Sequence, residues 1–339
     1  MIKTIIVTGG GTGGHLSVAR SFIDEFYSRG YRVIFIGSQK GQDKQWFEHY
    51  PKLYKSYFFN TKGVVNQNLF GKIKSLFMIL KAVITSIKII QQQNVSKVIS
   101  VGGFSAAPAS FAAILTKTDF YIHEQNSIVG RLNKLTSKYA KEVFSSYLKE
   151  SKVKDYPINH KFFEHAKIRT EVKTIIFLGG SQGASAINNF ALQIAPILNE
   201  KGIKIIHQTG KKDFENIQKK YQSLDIKADV FDFSTKLLEK MDQADFAVSR
   251  AGASTLWELV ALGIPTFFIP YPYAAANHQY HNAKYLTEND LCFLQTEEEL
   301  NSDFFFSCLE KDIEDKSRKL INTIHKNAIK NIVDIITEM

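Results

Sequence analysis

The sequence predicts an α/β fold of two doubly wound domains facing each other across a cleft. Short β-branched runs alternate with stretches of helical spacing, a pattern that predicts parallel sheet with helices on both faces. The pattern restarts beyond the middle of the chain. Each half opens with a strand that runs into a glycine-rich turn, Gly9-Gly10-Gly11-Thr12-Gly13-Gly14 in the first and Gly179-Gly180-Ser181-Gln182-Gly183 in the second. At 339 residues the chain also exceeds the about 250 to 300 residues at which a single core stops growing.

In the first half, residues 4–8, 32–36, 97–101 and 120–123 read as strands. In the second, 174–178, 203–207, 229–233, 246–249 and 266–269 do so. The irregular stretch 151–169 between them carries the turn-forming Tyr156-Pro157, so the boundary is placed near 165, giving domains 1–164 and 165–339. The final segment, about 308–339, spaces Ile313, Leu320, Ile321, Ile324, Ile332 and Ile336 as a packing helix does, and is free to fold back on the N-terminal domain. Ligands of doubly wound folds bind beyond the carboxyl ends of the strands, so one ligand on each side of the cleft is expected.

Hydrophobic residues make up 44% of the chain and charged residues 22%, without low-complexity tracts, which predicts ordered structure throughout. Cys292 and Cys308 have neither CxxC spacing nor a neighbouring histidine cluster, which argues against a zinc site or a disulfide framework and for a reducing compartment. The N-terminal apolar run is too short for a signal peptide, so a cytoplasmic location is expected. The best candidate for a membrane span, 69–90, is interrupted by Lys72, Lys74, Lys81 and Lys88, and no span is expected. The formal net charge of +10 fits solubility alone or a polyanionic partner: nucleic acid, phosphorylated ligands or anionic lipid headgroups.

The first glycine loop contains GxGxxG, whose backbone N–H groups and following helix N-terminus approach phosphate closely. The second strand continues Gly37-Ser38-Gln39-Lys40 without the acidic residue that a dinucleotide ribose needs, and Gly14 is followed by His15-Leu16. Dehydrogenase and P-loop readings both weaken. His15 stands where a helix begins; an isolated histidine is structural, but one beside a phosphate or sugar site is suited to general base work. The cluster His123-Glu124-Gln125-Asn126 precedes a helix expected near Ser127, and Asn126 is either its cap or a site residue.

In the second half, Ser181 adds a hydroxyl to the glycine turn. The segment Ser249-Arg250-Ala251-Gly252-Ala253-Ser254-Thr255-Leu256-Trp257-Glu258 follows a strand. Glu258, expected within the first turn or so of the next helix, either complements its dipole or accepts from the two hydroxyls of a ribose. Asn277-His278-Gln279-Tyr280-His281-Asn282 adds amide groups.

These elements, with Gly102-Gly103-Phe104 and in this order, give a chain that over nearly its whole length resembles the inverting GT-B glycosyltransferases acting on lipid I. The resemblance implies two Rossmann-like domains and transfer of N-acetylglucosamine from UDP-GlcNAc to undecaprenyl-pyrophosphoryl-MurNAc-pentapeptide. It implies Ser181 near the diphosphate, Glu258 on the ribose, Ala253, Ser254 and Thr255 at the nucleotide and Gln279 on the sugar. Thr12, Gly13, Gly14 and Asn126 would close on the donor from the N-terminal side, while His15 and Glu124 would line the acceptor side as the catalytic candidates. One departure bears on donor affinity: the family's Asn-Pro-Val-Arg is Tyr156-Pro157-Ile158-Asn159 here, and the nearby cations His160 and Lys161 do not reproduce an arginine fork. No Asp-x-Asp follows a strand, since Asp242-Gln243-Ala244-Asp245 is spaced otherwise, so neither metal nor cofactor is expected.

Segment 68–90 gains a second reading in this light. Leu69, Phe70, Ile73, Leu76, Phe77 and Leu80 form an apolar stripe interspersed with Lys72, Lys74 and Lys81, which is either a buried amphipathic helix or a surface that touches anionic lipid. Similar proteins sit peripherally on the cytoplasmic face of the inner membrane. The expected partners are UDP-GlcNAc, the lipid-linked acceptor and an anionic membrane surface, not nucleic acid. A diacylglycerol glycosyltransferase or a UDP-GlcNAc 2-epimerase is disfavoured by the His-Glu-Gln-Asn cluster beside the glycine-His loop, and a non-catalytic recruitment module by polar clusters in both halves.

Overall fold

The computed structural model describes residues 2–61, 69–180 and 183–338, without the side chains of 69–74. Asn68, Ser181 and Gln182 lie outside the described residues, as do the side chains of Leu69, Phe70, Lys72, Ile73 and Lys74.

The chain forms two compact units, Met1–Ile158 with Asn327–Met339, and Asn159–Lys326. The first is organised by β1 (Thr4–Thr8), five β-branched residues whose stiff side chains suit a pleated strand, all of them buried. With β2 (Arg32–Ser38), β3 (Lys55–Phe59), β4 (Val95–Ser100), β5 (Asp119–His123) and β6 (Glu142–Phe144) it makes a wholly parallel sheet in the order β3-β2-β1-β4-β5-β6. The second unit has β7 (Thr174–Leu178), β8 (Lys204–Gln208), β9 (Ala228–Phe231), β10 (Phe246–Ser249), β11 (Thr266–Phe268) and β12 (Phe293–Leu294), ordered β12-β11-β10-β7-β8-β9 and again parallel. Counted from its own first strand, each sheet has the same topology. The winding reverses between β1 and β4 and between β7 and β10, so each domain has its own switch point, where α/β sheets bind ligands.

Sequence reading missed β3, β6 and β12. All three are edge strands, short or half-exposed, and show neither a long apolar run nor clean alternation. The two cores are separate. In the first, Ile6, Ile34, Ile36, Val98, Phe120 and Ile122 cover one sheet face against Ala109, Ala112, Ala113, Val83, Ile89 and Ile90 from the helices Ala107–Thr116 and Leu69–Gln92.

One expectation needs correcting. The 18-residue window Ser75–Gln92 is long and apolar enough, by length and composition, to cross a membrane, because it begins past Lys72 and Lys74. A third of it is nevertheless buried in the domain. Ala82, Val83, Ser86, Ile89 and Ile90 face inward, whereas Leu76, Phe77, Leu80 and Ile84 are 50% to 69% exposed. The described part of the apolar stripe read from the sequence is thus the outward face.

Segment 308–339 is not one helix but the end of Ser302–Leu309 followed by Ile313–Ile321 and Ala328–Glu338. Asp312 caps the second of these, its carboxylate accepting from the Asp315 N–H at 2.8 Å. The last helix belongs to the first domain: Ile332, Val333 and Ile336 are fully buried, and Arg29 donates to Asp334 at 2.6 Å and to the Lys330 carbonyl at 3.2 Å. The passage between domains comes slightly before 165. Tyr156 and Ile158 are buried in the first unit, while His165 and Lys167 pair with Asp242 in the second.

Candidate active site

At the end of β1 the backbone turns at Gly9 (φ +123°) and Gly11 (φ +88°), conformations that favour glycine. The turn lies backbone to backbone against the loop that leaves β4. Gly10 N–H donates to the Gly102 carbonyl at 3.2 Å, and a Cβ on Gly9 or Gly103 would meet a carbonyl oxygen at 2.4 or 2.3 Å. Helix Gly13–Ser28 starts immediately, with Thr12 at its N-cap in extended conformation. The Thr12 hydroxyl does not cap the helix; it bonds His15 Nδ1 at 2.8 Å.

That bond orients the imidazole toward the β4 loop, where a Cβ on Gly102 would lie 3.5 Å from His15 Nε2 and 3.1 Å from Asn133 Nδ2. His15, Gly102 and Asn133 therefore share one spot at the carboxyl edge of the sheet. Beneath the loop, Asp43 is fully buried. Its carboxylate accepts from Gly11 N–H at 2.6 Å and Ser38 N–H at 2.9 Å. Burial pushes its pKa above the usual carboxylate range, against these N–H donors, which pull it down.

The cluster after β5 divides its labour. His123 is buried, edge-on to Phe22 and Tyr156, and desolvation with the neighbouring His15 charge lowers its pKa to about 3, so it is a neutral core residue. Gln125 donates to the Val101 carbonyl at 3.1 Å. Glu124 is buried, with Oε1 accepting from Asn126 N–H at 3.0 Å and Oε2 from Gly130 N–H at 2.9 Å and Asn133 Nδ2 at 2.8 Å. With both oxygens engaged, the carboxylate braces loop 124–133 and is poorly disposed to take a substrate proton. The next helix is Arg131–Thr136 with Gly130 at its N-cap, so Asn126 is not a helix cap. Beyond this loop, a cavity of about 620 Å³ opens, lined by Ile128, Val129, Asn133, Val143 and Leu148 among others.

In the second domain the loop after β7 turns at Gly180 and Gly183, and a Cβ on Gly183 would meet the Thr209 carbonyl at 2.6 Å. Asn188 supports the Thr209 carbonyl from below, donating to it at 3.2 Å and to Asp213 at 3.0 Å, while its Oδ1 meets His207 Nε2 at 3.0 Å. The loops after β10 and β11 are laced together. Arg250 donates to the Ile269 and Pro270 carbonyls at 3.0 Å and pairs with Glu297 at 2.5 Å; Asn282 donates to the Ala251 carbonyl at 3.2 Å; and Gln279 Oε1 accepts from Tyr271 N–H at 3.0 Å.

Helix Ala253–Ala261 follows that loop without a side-chain cap, so Ala253, Ser254 and Thr255 form its first turn. Glu258 lies in the second turn, beyond the reach of the dipole effect, which falls off within the first. Desolvation pushes its carboxyl up to about 7. Asn159, where the family arginine was missed, is exposed and accepts from Lys161 N–H at 3.0 Å, and His160 lies 3.6 Å from Glu164.

The description of the glycosyltransferase family 28 N-terminal domain matches residues 5–145, and that of the family's C-terminal domain matches residues 174–339. The chain belongs to glycosyltransferase family 28. Its sites thus divide by family domain, with His15, Asp43, Glu124 and Asn133 in the N-terminal match and Glu258 and Gln279 in the C-terminal one. It is similar to the UDP-N-acetylglucosamine–N-acetylmuramyl-(pentapeptide) pyrophosphoryl-undecaprenol N-acetylglucosamine transferases of Sulfurovum sp. and Campylobacter jejuni subsp. doylei. Identity is 49% over 333 residues for the first, covering 98% of both chains, and 52% over 326 residues for the second, covering 96% of this chain and 95% of the relative. The crystal structure of Acinetobacter baumannii MurG is similar at a TM-score of 0.81 with 26% identity, covering 99% of this chain and 100% of that one. This glycosyltransferase therefore has the GT-B architecture of two Rossmann-like domains. Sequence reasoning missed Asp43, which ties Ser38, five residues away, to Gly11, 32 residues away, and Asn133, whose partner lies nine residues away.

Proposed function

We propose that this glycosyltransferase transfers N-acetylglucosamine from UDP-GlcNAc to lipid I, undecaprenyl-pyrophosphoryl-MurNAc-pentapeptide, making lipid II for peptidoglycan synthesis. The names of relatives alike over nearly the whole chain support the substrates. The observation that carries the chemistry is the His15 ring, held by Thr12 at the carboxyl edge of the first sheet.

In the proposed step an acceptor hydroxyl oxygen bonds to the anomeric carbon while that carbon's bond to the UDP oxygen breaks, so the configuration inverts. The hydroxyl proton passes to His15 Nε2, and the bonding pair leaves on the diphosphate. In the tautomer this step requires, His15 Nδ1–H donates to the Thr12 hydroxyl and Nε2 is left free to take the proton. Uncapped helix N-termini at Ser185 and Ala253 suit a diphosphate anion. Glu258 takes the ribose hydroxyls, Ala253, Ser254 and Thr255 the nucleotide, Ser181 the diphosphate and Gln279 the sugar, with Thr12, Gly13, Gly14 and Asn126 as further donor contacts. Glu124 acts by holding its loop.

The same reading places the enzyme peripherally on the cytoplasmic face of the inner membrane, with no role for nucleic acid. Its support is the outward apolar face of helix Leu69–Gln92, where Lys81 and Lys88 are also exposed, beside exposed Leu115 of the adjoining helix. The test is incubation with UDP-GlcNAc and a lipid I analogue, followed by mass spectrometry. One added N-acetylhexosamine per UDP released is expected. Saturable UDP binding without turnover would favour a recruitment module, and UDP release without a glycosylated lipid would require another acceptor.

A further inference from the structure

Gly10 and Gly37 are glycines for a reason other than their backbone angles, since neither has the positive φ of Gly9 or Gly11. A Cβ on Gly10 would fall 2.5 to 2.7 Å from the carboxylate of Asp43, and one on Gly37 would fall 2.5 Å from the Phe35 ring and 2.9 Å from Asp43 Oδ2. Gly10 is kept bare to admit this side chain, and Gly37 to admit it together with the Phe35 ring. Asp43 opens the short helix Asp43–Phe47 after β2, is fully buried, and has no ion-pair partner among the described residues. A buried carboxylate is costly unless it is hydrogen-bonded, and an apolar residue would fill the same space at less cost. What an apolar residue cannot do is hold the N–H of Gly11 and that of Ser38 at once.

Gly11 is followed by Thr12, and the Thr12 hydroxyl holds His15 Nδ1. We propose that Asp43 is a positioning residue for glycosyl transfer, fixing Gly11 from beneath the glycine loop and, through Gly11 and Thr12, the ring of His15. The proposal rests on the reading of His15 as the base. Glycine backbone is the most conformationally free, so a loop of this composition needs an external fixed point, and Asp43 supplies one within the domain core. Its oxygens meet the N–H groups of Gly11 and Ser38 and no reacting atom, so its part in the transfer runs through the glycine loop.

Asp43→Asn preserves the shape but sets an amide NH₂ against one of the two N–H donors. Turnover is expected to fall by about 10²-fold, the scale of a misplaced catalytic group, with the circular dichroism spectrum unchanged. The deciding measurement is a double-mutant cycle with His15→Ala. If Asp43 works through His15, Asp43→Asn has no further effect on turnover once His15 is gone. Additive losses, or lowered stability with wild-type turnover, overturn the proposal while leaving His15 as the base. Wild-type turnover in His15→Ala alone removes the base reading and this proposal with it. Should Asp43→Asn fail to fold, the cycle is run with Gly10→Ala, whose Cβ would displace the Asp43 carboxylate, and additivity with His15→Ala likewise overturns the relay.

Discussion

Two imidazoles lie near each other in the first domain, and their surroundings assign them opposite work. His123 is walled in by Phe22 and Tyr156 and held neutral, whereas His15 is half-exposed and bonded to Thr12 through Nδ1. His15→Ala is expected to lower turnover by roughly 10² to 10⁴, with donor binding little changed and the acidic limb of turnover at saturating donor lost. A mutant that keeps both turnover and that limb places the base elsewhere. Glu258 gives a second pH signature. Its carboxyl, raised to about 7 by burial, is neutral in the empty protein only below that pH, and ribose hydroxyls donate best to the ionised form. Donor affinity should therefore rise with pH through about 7 and level off above it. In Glu258→Gln the Michaelis constant for UDP-GlcNAc should be about tenfold higher and flat with pH, and an effect confined to the acceptor would remove Glu258 from the donor site. Folding stability runs the opposite way. An acid whose folded pKa is raised contributes stability that is present below its unfolded pKa and lost as pH rises through about 7, so without ligand Glu258→Gln should melt higher than wild type at about pH 8.

At the scale of elements, helix Leu69–Gln92 carries two apolar faces, one packed and one exposed. One packs into the sheet through Val83, Ile89 and Ile90; the other presents Leu76, Phe77, Leu80 and Ile84 outward at helical spacing. Composition alone could not separate the faces, because both are apolar. Replacing Leu76, Phe77 and Leu80 by Ser should weaken co-sedimentation with anionic vesicles while leaving UDP binding and the circular dichroism spectrum intact, since no core contact is removed. Unchanged vesicle binding would free this face from the membrane reading. The glycine loops and the polar cluster after β5 were legible as elements, because turn chemistry is local. The missed strands β3, β6 and β12 were not, because edge strands are recognised through their neighbours.

At the scale of the molecule, two cores of the same topology are built from one chain that returns at its end to the first. Ile332, Val333 and Ile336 are buried there, and each such side chain contributes about 1.5 to 3 kcal/mol. Ile336→Ala is expected to destabilise the first domain by about 2 to 5 kcal/mol. Calorimetry with and without UDP checks this: the transition that UDP does not raise should move down, and a fall confined to the UDP-responsive transition would assign the last helix to the second domain.

The β-branched runs, the two glycine turns and the spacing of their flanking helices determined the paired parallel sheets from sequence alone, because each depends on residues close together in the chain. The position of His15 after the first glycine loop was legible for the same reason. Tertiary structure decided the rest. Both oxygens of Glu124 are drawn into its own loop, Glu258 stands a turn deeper in its helix than expected, and Asp43, an unremarked acid after a strand, lies beneath the glycine loop. These roles depend on how the folded backbone turns its N–H groups toward a side chain, and the spacing of residue types carries no record of that.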